Sequence, residues 1–125
     1  MIQAKDLKQG NKINYNGEVV TVIGTHKNKI FFDNDYFDSN ILEYEPFKGI
    51  PLTEEILKNN FGFKKIYKIG NKKYFEHSEY RISFTVVDNC FVFDFGPTTI
   101  GQREYVHEVQ NLFKELTQKD IEINL

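Results

Sequence analysis

Tyr105-Val106-His107-Glu108-Val109-Gln110-Asn111-Leu112-Phe113-Lys114-Glu115-Leu116-Thr117 carries the strongest helical signal in the chain. Its apolar members, Tyr105, Val106, Val109, Leu112, Phe113 and Leu116, recur at three- and four-residue spacings and so share one side of a helix. Such a stripe must be buried, and each large side chain that it buries stabilises by about 1.5–3 kcal/mol. The sequence before it has mostly the period of strands. The segment therefore predicts an α+β fold in which this C-terminal helix packs on an antiparallel sheet, closing over the strands just before it.

Two blocks of sequence supply the strands. In the first, Ile13 and Tyr15 alternate with polar neighbours, and Asn16-Gly17 is the preferred pair for a two-residue hairpin. Residues 18–23 return as a β-branched strand, 29–32 follow a polar turn at 26–28, and 41–44 give a short fourth strand. These strands can form a meander or an incomplete SH3-like barrel. The second block places 65–69 and 73–75 around Gly70-Asn71, then 81–87 and 90–95 around Asp88-Asn89, with Gly96-Pro97 ending the sheet. Phe91, Phe93 and Phe95 fall on one side of the last strand, and that side is the expected core.

Between the blocks, Pro51-Leu52-Thr53-Glu54-Glu55-Ile56-Leu57 reads as the start of a short central helix. Thr53 can cap it, Glu54 and Glu55 suit the positive end of its dipole, and Leu52 with Leu57 make a hydrophobic staple. The helix should stop near Asn60, with Gly62 suited to the left-handed position. The expected organisation is one compact domain of 125 residues, subdivided at most into 1–46 and 50–125.

Composition excludes several classes. With 40% hydrophobic and 27% charged residues the chain is globular, and 12 Phe with 7 Tyr imply a core of few, bulky groups. A net charge of −2 gives no overall attraction to nucleic acid or anionic membrane. No apolar run approaches the roughly 20 residues that span a bilayer. Residues 1–10 contain no apolar signal segment, and a single cysteine fits a reducing compartment, so a cytoplasmic protein without membrane partners is expected.

Catalytic chemistry is not indicated. His26, His77, His107 and Cys90 lack zinc-ligand spacing, and Cys90 at a strand start reads as a packed thiol. Asp33-Asn34-Asp35-Tyr36-Phe37-Asp38 imitates a calcium loop, but Asp38 stands where glycine is needed and Tyr44 where the closing glutamate belongs. It reads as a solvated acidic loop. No catalytic residue, cofactor or metal is expected, and the protein is read as non-enzymatic.

Charge is segregated along the chain. Residues 30–46 carry Asp33, Asp35, Asp38, Glu43 and Glu45 without a lysine or arginine, whereas 56–75 carry six lysines and no acid. Lys64, Lys65, Lys68, Lys72 and Lys73 interleave with Tyr67 and Tyr74, a pattern that can follow phosphates while bases stack. The same residues can instead be a docking face, steered by charge, or a solvated hairpin over an aromatic core. On the C-terminal helix, His107, Gln110, Asn111 and Lys114 form a second candidate, a polar recognition face. A partner protein is the leading expectation; nucleic acid, a small molecule in a pocket between sheet and helices, and self-association are the alternatives.

The order Ile50-Pro51-Leu52-Thr53-Glu54-Glu55-Ile56-Leu57, Phe61-Gly62-Phe63, then Tyr105-Val106-His107-Glu108-Val109-Gln110-Asn111-Leu112-Phe113 and Leu116-Thr117 resembles a family of small, mostly uncharacterised proteins of bacterial phages and prophages. The resemblance implies a small phage-associated accessory protein; by analogy of context with other small phage proteins, some of which bind and block host defence machinery, that machinery is one kind of target. It carries over no catalytic residue.

Overall fold

The computed structural model describes residues 2, 4–26, 29–33, 35–38, 47–121 and 123–125, with the side chains of all but 4 and 35–38. Two compact units divide the chain. One comprises Met1–Ile50 with Tyr105–Ile123 and Leu125, and the other comprises Pro51–Glu104 with Asn124.

The first unit is a five-stranded antiparallel sheet built from β1 (Lys12–Tyr15), β2 (Glu18–His26), β3 (Lys29–Phe32), β4 (Asp35–Asp38) and β5 (Phe47–Gly49), in the order β4-β3-β2-β1-β5. A meander whose fifth strand returns beside the first is the connectivity of an SH3-like sheet. The β1–β2 hairpin turns through Asn16 and Gly17 at φ 49 and 89, the left-handed pair that a two-residue loop requires. Leu7, Ile13, Val22, Ile30, Phe32 and Phe47 form its core. Tyr15 lies across Phe32 and Phe47 with ring centroids 5.0 and 4.8 Å away.

Two strands here correct the sequence reading. Residues 35–38, expected as part of an acidic loop, pair with β3. Tyr36 and Phe37 favour extended backbone, and that preference outweighs the flanking aspartates. Residues 47–49, expected as a connection, pair with β1. The strand expected at 41–44, the turn residues 27–28 and most of the acidic segment lie outside the described residues.

The second unit contains α1 (Glu54–Asn59) and a sheet of β6 (Phe63–Ile69), β7 (Lys72–His77), β8 (Ile82–Val87), β9 (Cys90–Phe95) and β10 (Thr98–Arg103), paired sequentially and antiparallel. Thr53 caps α1, its hydroxyl accepting from Ile56 N–H at 3.1 Å. Asp88 and Asn89 both turn left-handed between β8 and β9, as Asn16-Gly17 does between β1 and β2. Phe84 is fully buried, with Phe63 and Phe93 edge-on at 5.3 and 5.1 Å. The phenylalanine side is thus the core, as its alternation predicts. The sheet does not end at Gly96-Pro97: these residues turn the chain into β10, which carries a bulge between Thr99 and Gly101. The bulge breaks the alternation on which a strand is recognised.

The C-terminal helix, α2 (Val106–Thr117), buries Val106, Val109, Leu112 and Phe113 as its stripe requires. Glu108 accepts from Tyr105 N–H at 3.0 Å and so closes the first turn. The helix belongs to the first unit, whereas the expected division grouped it with 50–104. Val106 N–H donates to Ile50 at 2.9 Å, and the helix contacts β1.

Candidate functional site

Cross-strand pairing in the second unit sorts the lysine segment onto two faces. Residues opposite one another in register share a face. Phe63, Phe75, Phe84 and Phe93 mark the buried one. The other carries three rows: Lys64, Glu76, Ser83, Asp94 and Thr99; then Tyr67, Tyr74, Thr85, Val92 and Gln102; then Ile69, Lys72, Val87 and Cys90. This second face is exposed along β6 and at Lys72, Glu76, Cys90, Thr99 and Gln102, half-buried at Tyr74, Thr85, Val87, Val92 and Asp94, and buried at Ser83. Cys90, expected to be packed, is exposed on it, because it borders the β8–β9 turn rather than the strand centre.

A bulge in β6 between Lys65 and Tyr67 makes the division. Before it, Lys65 sits opposite Phe75 and Lys64 opposite Glu76; beyond it, Tyr67 sits opposite Tyr74 and Lys68 opposite Lys73. Of the predicted residues, Lys64, Tyr67, Lys72 and Tyr74 are therefore brought together on the open face, and Lys65, Lys68 and Lys73 on the opposite one. Tyr67 and Tyr74 stack at 5.1 Å with an interplanar angle of 11°. Lys73 is paired to Glu54 of α1 at 2.7 Å. That carboxylate relieves the like charges of Lys68 and Lys73 facing each other. Among the described residues, Lys65, Lys68 and Lys72 form no ion pair.

Beside the candidate Tyr67, the same strand carries two apolar groups that the sequence reading left unassigned, Ile66 and Ile69. Ile66, Tyr67 and Ile69 are 50%, 46% and 69% exposed, side by side on β6, and β6 is the edge of its sheet. The signal was available: Lys65-Ile66-Tyr67-Lys68-Ile69 sets its three large apolar residues at the second, third and fifth positions, which strict alternation cannot place on one face.

The polar side of α2 is spent within the first unit. Gln110, buried, accepts from Lys12 N–H at 2.9 Å and donates to the Gly10 carbonyl at 3.0 Å. Asn111 accepts from buried Asn11 at 2.9 Å and donates to the Asp6 carbonyl. Lys114 meets Asp120 at 3.4 Å. His107 is buried with its ring parallel to that of Tyr105, and its Nδ1 has no hydrogen-bond partner among the described residues. Burial lowers the His107 pKa, against the opposing pull of Glu108 and Asp6. Gln110 and Asn111 thus hold the helix to the 6–12 segment, while Lys114 is turned toward Asp120. Burial also lowers the His77 pKa, opposed by its hydrogen bond with the Phe61 backbone and by Glu79.

A cleft of about 420 Å³ in the first unit is lined by Gly10, Lys12, Thr21, Gln110, Asp120 and Ile123. Its buried amide, Gln110, is already satisfied by backbone, and Lys12 Nζ donates to Thr21 Oγ1. No group of three potential metal-ligating side chains occurs among the described residues. No described helix is long and apolar enough to cross a membrane.

Comparison of the chain with protein-family models, curated proteins and solved structures returns no match.

Proposed function

We propose that this chain is a non-enzymatic, phage-type accessory factor that acts by binding a partner protein through the β6 edge and the adjoining open face. The observation that carries this reading is the row Ile66, Tyr67 and Ile69, large apolar side chains left about half exposed or more on one edge strand. Single exposed apolar residues are ordinary on a protein surface, but neighbouring ones rimmed by charge mark interaction sites. Lys64, Lys68 and Lys72 supply such a rim and favour a partner of opposite sign. The phage setting rests on the sequence resemblance alone.

The test is site-specific photocrosslinking in nuclease-treated host extract. A crosslinker at position 69 should yield one protein adduct that disappears when Tyr67 is changed to Glu, while a crosslinker at exposed Thr98 on the far edge should not. Equal adducts from both positions would refute the assignment.

A second reading has its own support, the stacked Tyr67–Tyr74 pair beside Lys64 and Lys72 on an open sheet. Aromatic rings on such a surface can stack with bases of a single strand. It is the weaker reading because Lys64 faces Glu76, and Lys65, Lys68 and Lys73 point to the other side. Binding of single-stranded DNA or RNA that falls steeply with salt would favour it.

A further inference from the structure

The geometry points to strand addition: we infer that the β6 edge takes up an extended partner segment in which acidic residues alternate with apolar ones. This rests on the docking function proposed above and specifies what is docked. Among the described residues no strand pairs with the outer side of β6, and residues 64–69 are exposed, so this edge can accept a further ladder.

The two sides of that edge differ in chemistry. Beyond the bulge, Tyr67 and Ile69 lie on the open face, whereas Lys68, with Lys65 before the bulge, lies on the other. An added strand places its own side chains alternately on the same two sides. Those beside Tyr67 and Ile69 extend an apolar surface. Those beside Lys65 and Lys68 meet two ammonium groups that form no ion pair among the described residues, Glu54 being engaged by Lys73. The edge therefore selects apolar residues on one side and carboxylates on the other.

The same features disfavour a second copy of β6 as the occupant. Three lysines in seven residues would be laid against three lysines, and lysines with a bulge are how exposed edges avoid pairing with themselves. Charge complementarity thus commits the edge to an acidic segment from another protein.

Synthetic peptides as long as β6, titrated against the full chain with backbone amides followed by NMR, test this. A peptide of alternating glutamate and valine should slow exchange of amides within 66–69. A peptide of the same composition, with glutamates and valines in two blocks, should bind at least about tenfold more weakly. Changing Lys65→Glu together with Lys68→Glu should weaken the alternating glutamate peptide by roughly tenfold or more and confer binding of a lysine–valine counterpart. Both lysines are exposed, so an otherwise unchanged amide spectrum will show that the fold persists. Equal binding of the two glutamate peptides, equal binding of oligothymidylate, or a charge swap without inverted preference would overturn strand addition. A partner crosslinked at position 69 with no binding of the alternating peptide would also overturn it, leaving docking itself intact.

Discussion

Gln110→Ala should loosen the first unit more than any other single change on the polar side of α2. The side chain serves two backbone groups nearly a hundred residues away, accepting from Lys12 N–H at 2.9 Å and donating to the Gly10 carbonyl at 3.0 Å. A net hydrogen bond contributes about 1 kcal/mol, and a group stranded away from water costs about 1–3 kcal/mol. Gln110 is only 5% exposed, but the segment it holds borders an open cleft, so water can reach part of what is stranded. The expected loss is about 2–4 kcal/mol. With a urea dependence of about 2 kcal/mol per molar, the middle of the usual range for a small protein, the midpoint for this unit should fall by roughly 1–2 M. Following resolved amide signals of Asn11 and Lys12 confines the measurement to this unit, and the Lys12 amide should exchange faster in the native state. Gln110→Glu sharpens the test. It keeps the acceptor for Lys12 but sets a carboxylate oxygen against the Gly10 carbonyl, so it should destabilise at neutral pH and recover as acid protonates it. A Gln110→Ala protein within about 0.5 kcal/mol of the parent, with unchanged Lys12 exchange, would refute the reasoning.

Other outcomes are expected. Gly49→Ala would set a methyl group into the Tyr105 ring, closer than van der Waals contact allows, and should cost about 1–3 kcal/mol, measured by thermal unfolding, with Tyr105→Ala restoring part of the loss. Folding lowers the His107 pKa, so its contribution is complete above the ordinary histidine value of about 6.5 and is lost as pH falls from there through the lowered folded-state pKa, because the unfolded chain takes up the proton first. A pH series of denaturation midpoints should show this slope, and His107→Leu should flatten it. Phe113→Asp places a carboxylate in the fully packed side of α2 and should abolish the first unit's dispersed amide spectrum. Glu54→Gln removes the ion pair to Lys73; the pair is about a third exposed, so the loss should be at most about 1 kcal/mol by denaturation and should shrink in high salt.

Local signals were legible in the sequence. Asn16-Gly17 and Asp88-Asn89 turn where their left-handed preference puts them, Thr53 caps α1, and the stripe of α2 is buried. Contacts between distant residues were not. The attachment of α2 to the first sheet is made by Gln110 and Asn111 reaching Gly10, Asn11 and Lys12, and polar pairs at that separation leave no periodic trace. The candidate site failed for a similar reason. Lys64, Lys65, Lys68, Lys72 and Lys73 are one cluster along the chain, but the extra residue at Ile66 reverses the side taken by everything after it. A shift of one residue decides whether lysines share a surface, and nothing in their spacing announces it.

The interrupted first unit bears on how the protein is made. The ribosome delivers residues in order, at about 5–20 per second, and domains generally fold as units when their residues have emerged. Residues 51–104 form a continuous stretch and can close their meander as soon as β10 is out. The sheet of the first fifty residues emerges earlier but must wait, without the helix that supplies Val106, Val109 and Phe113, until those residues follow. The part synthesised first is therefore completed last, and a nascent chain paused before residue 105 should hold a finished second sheet beside an unfinished, protease-sensitive first one.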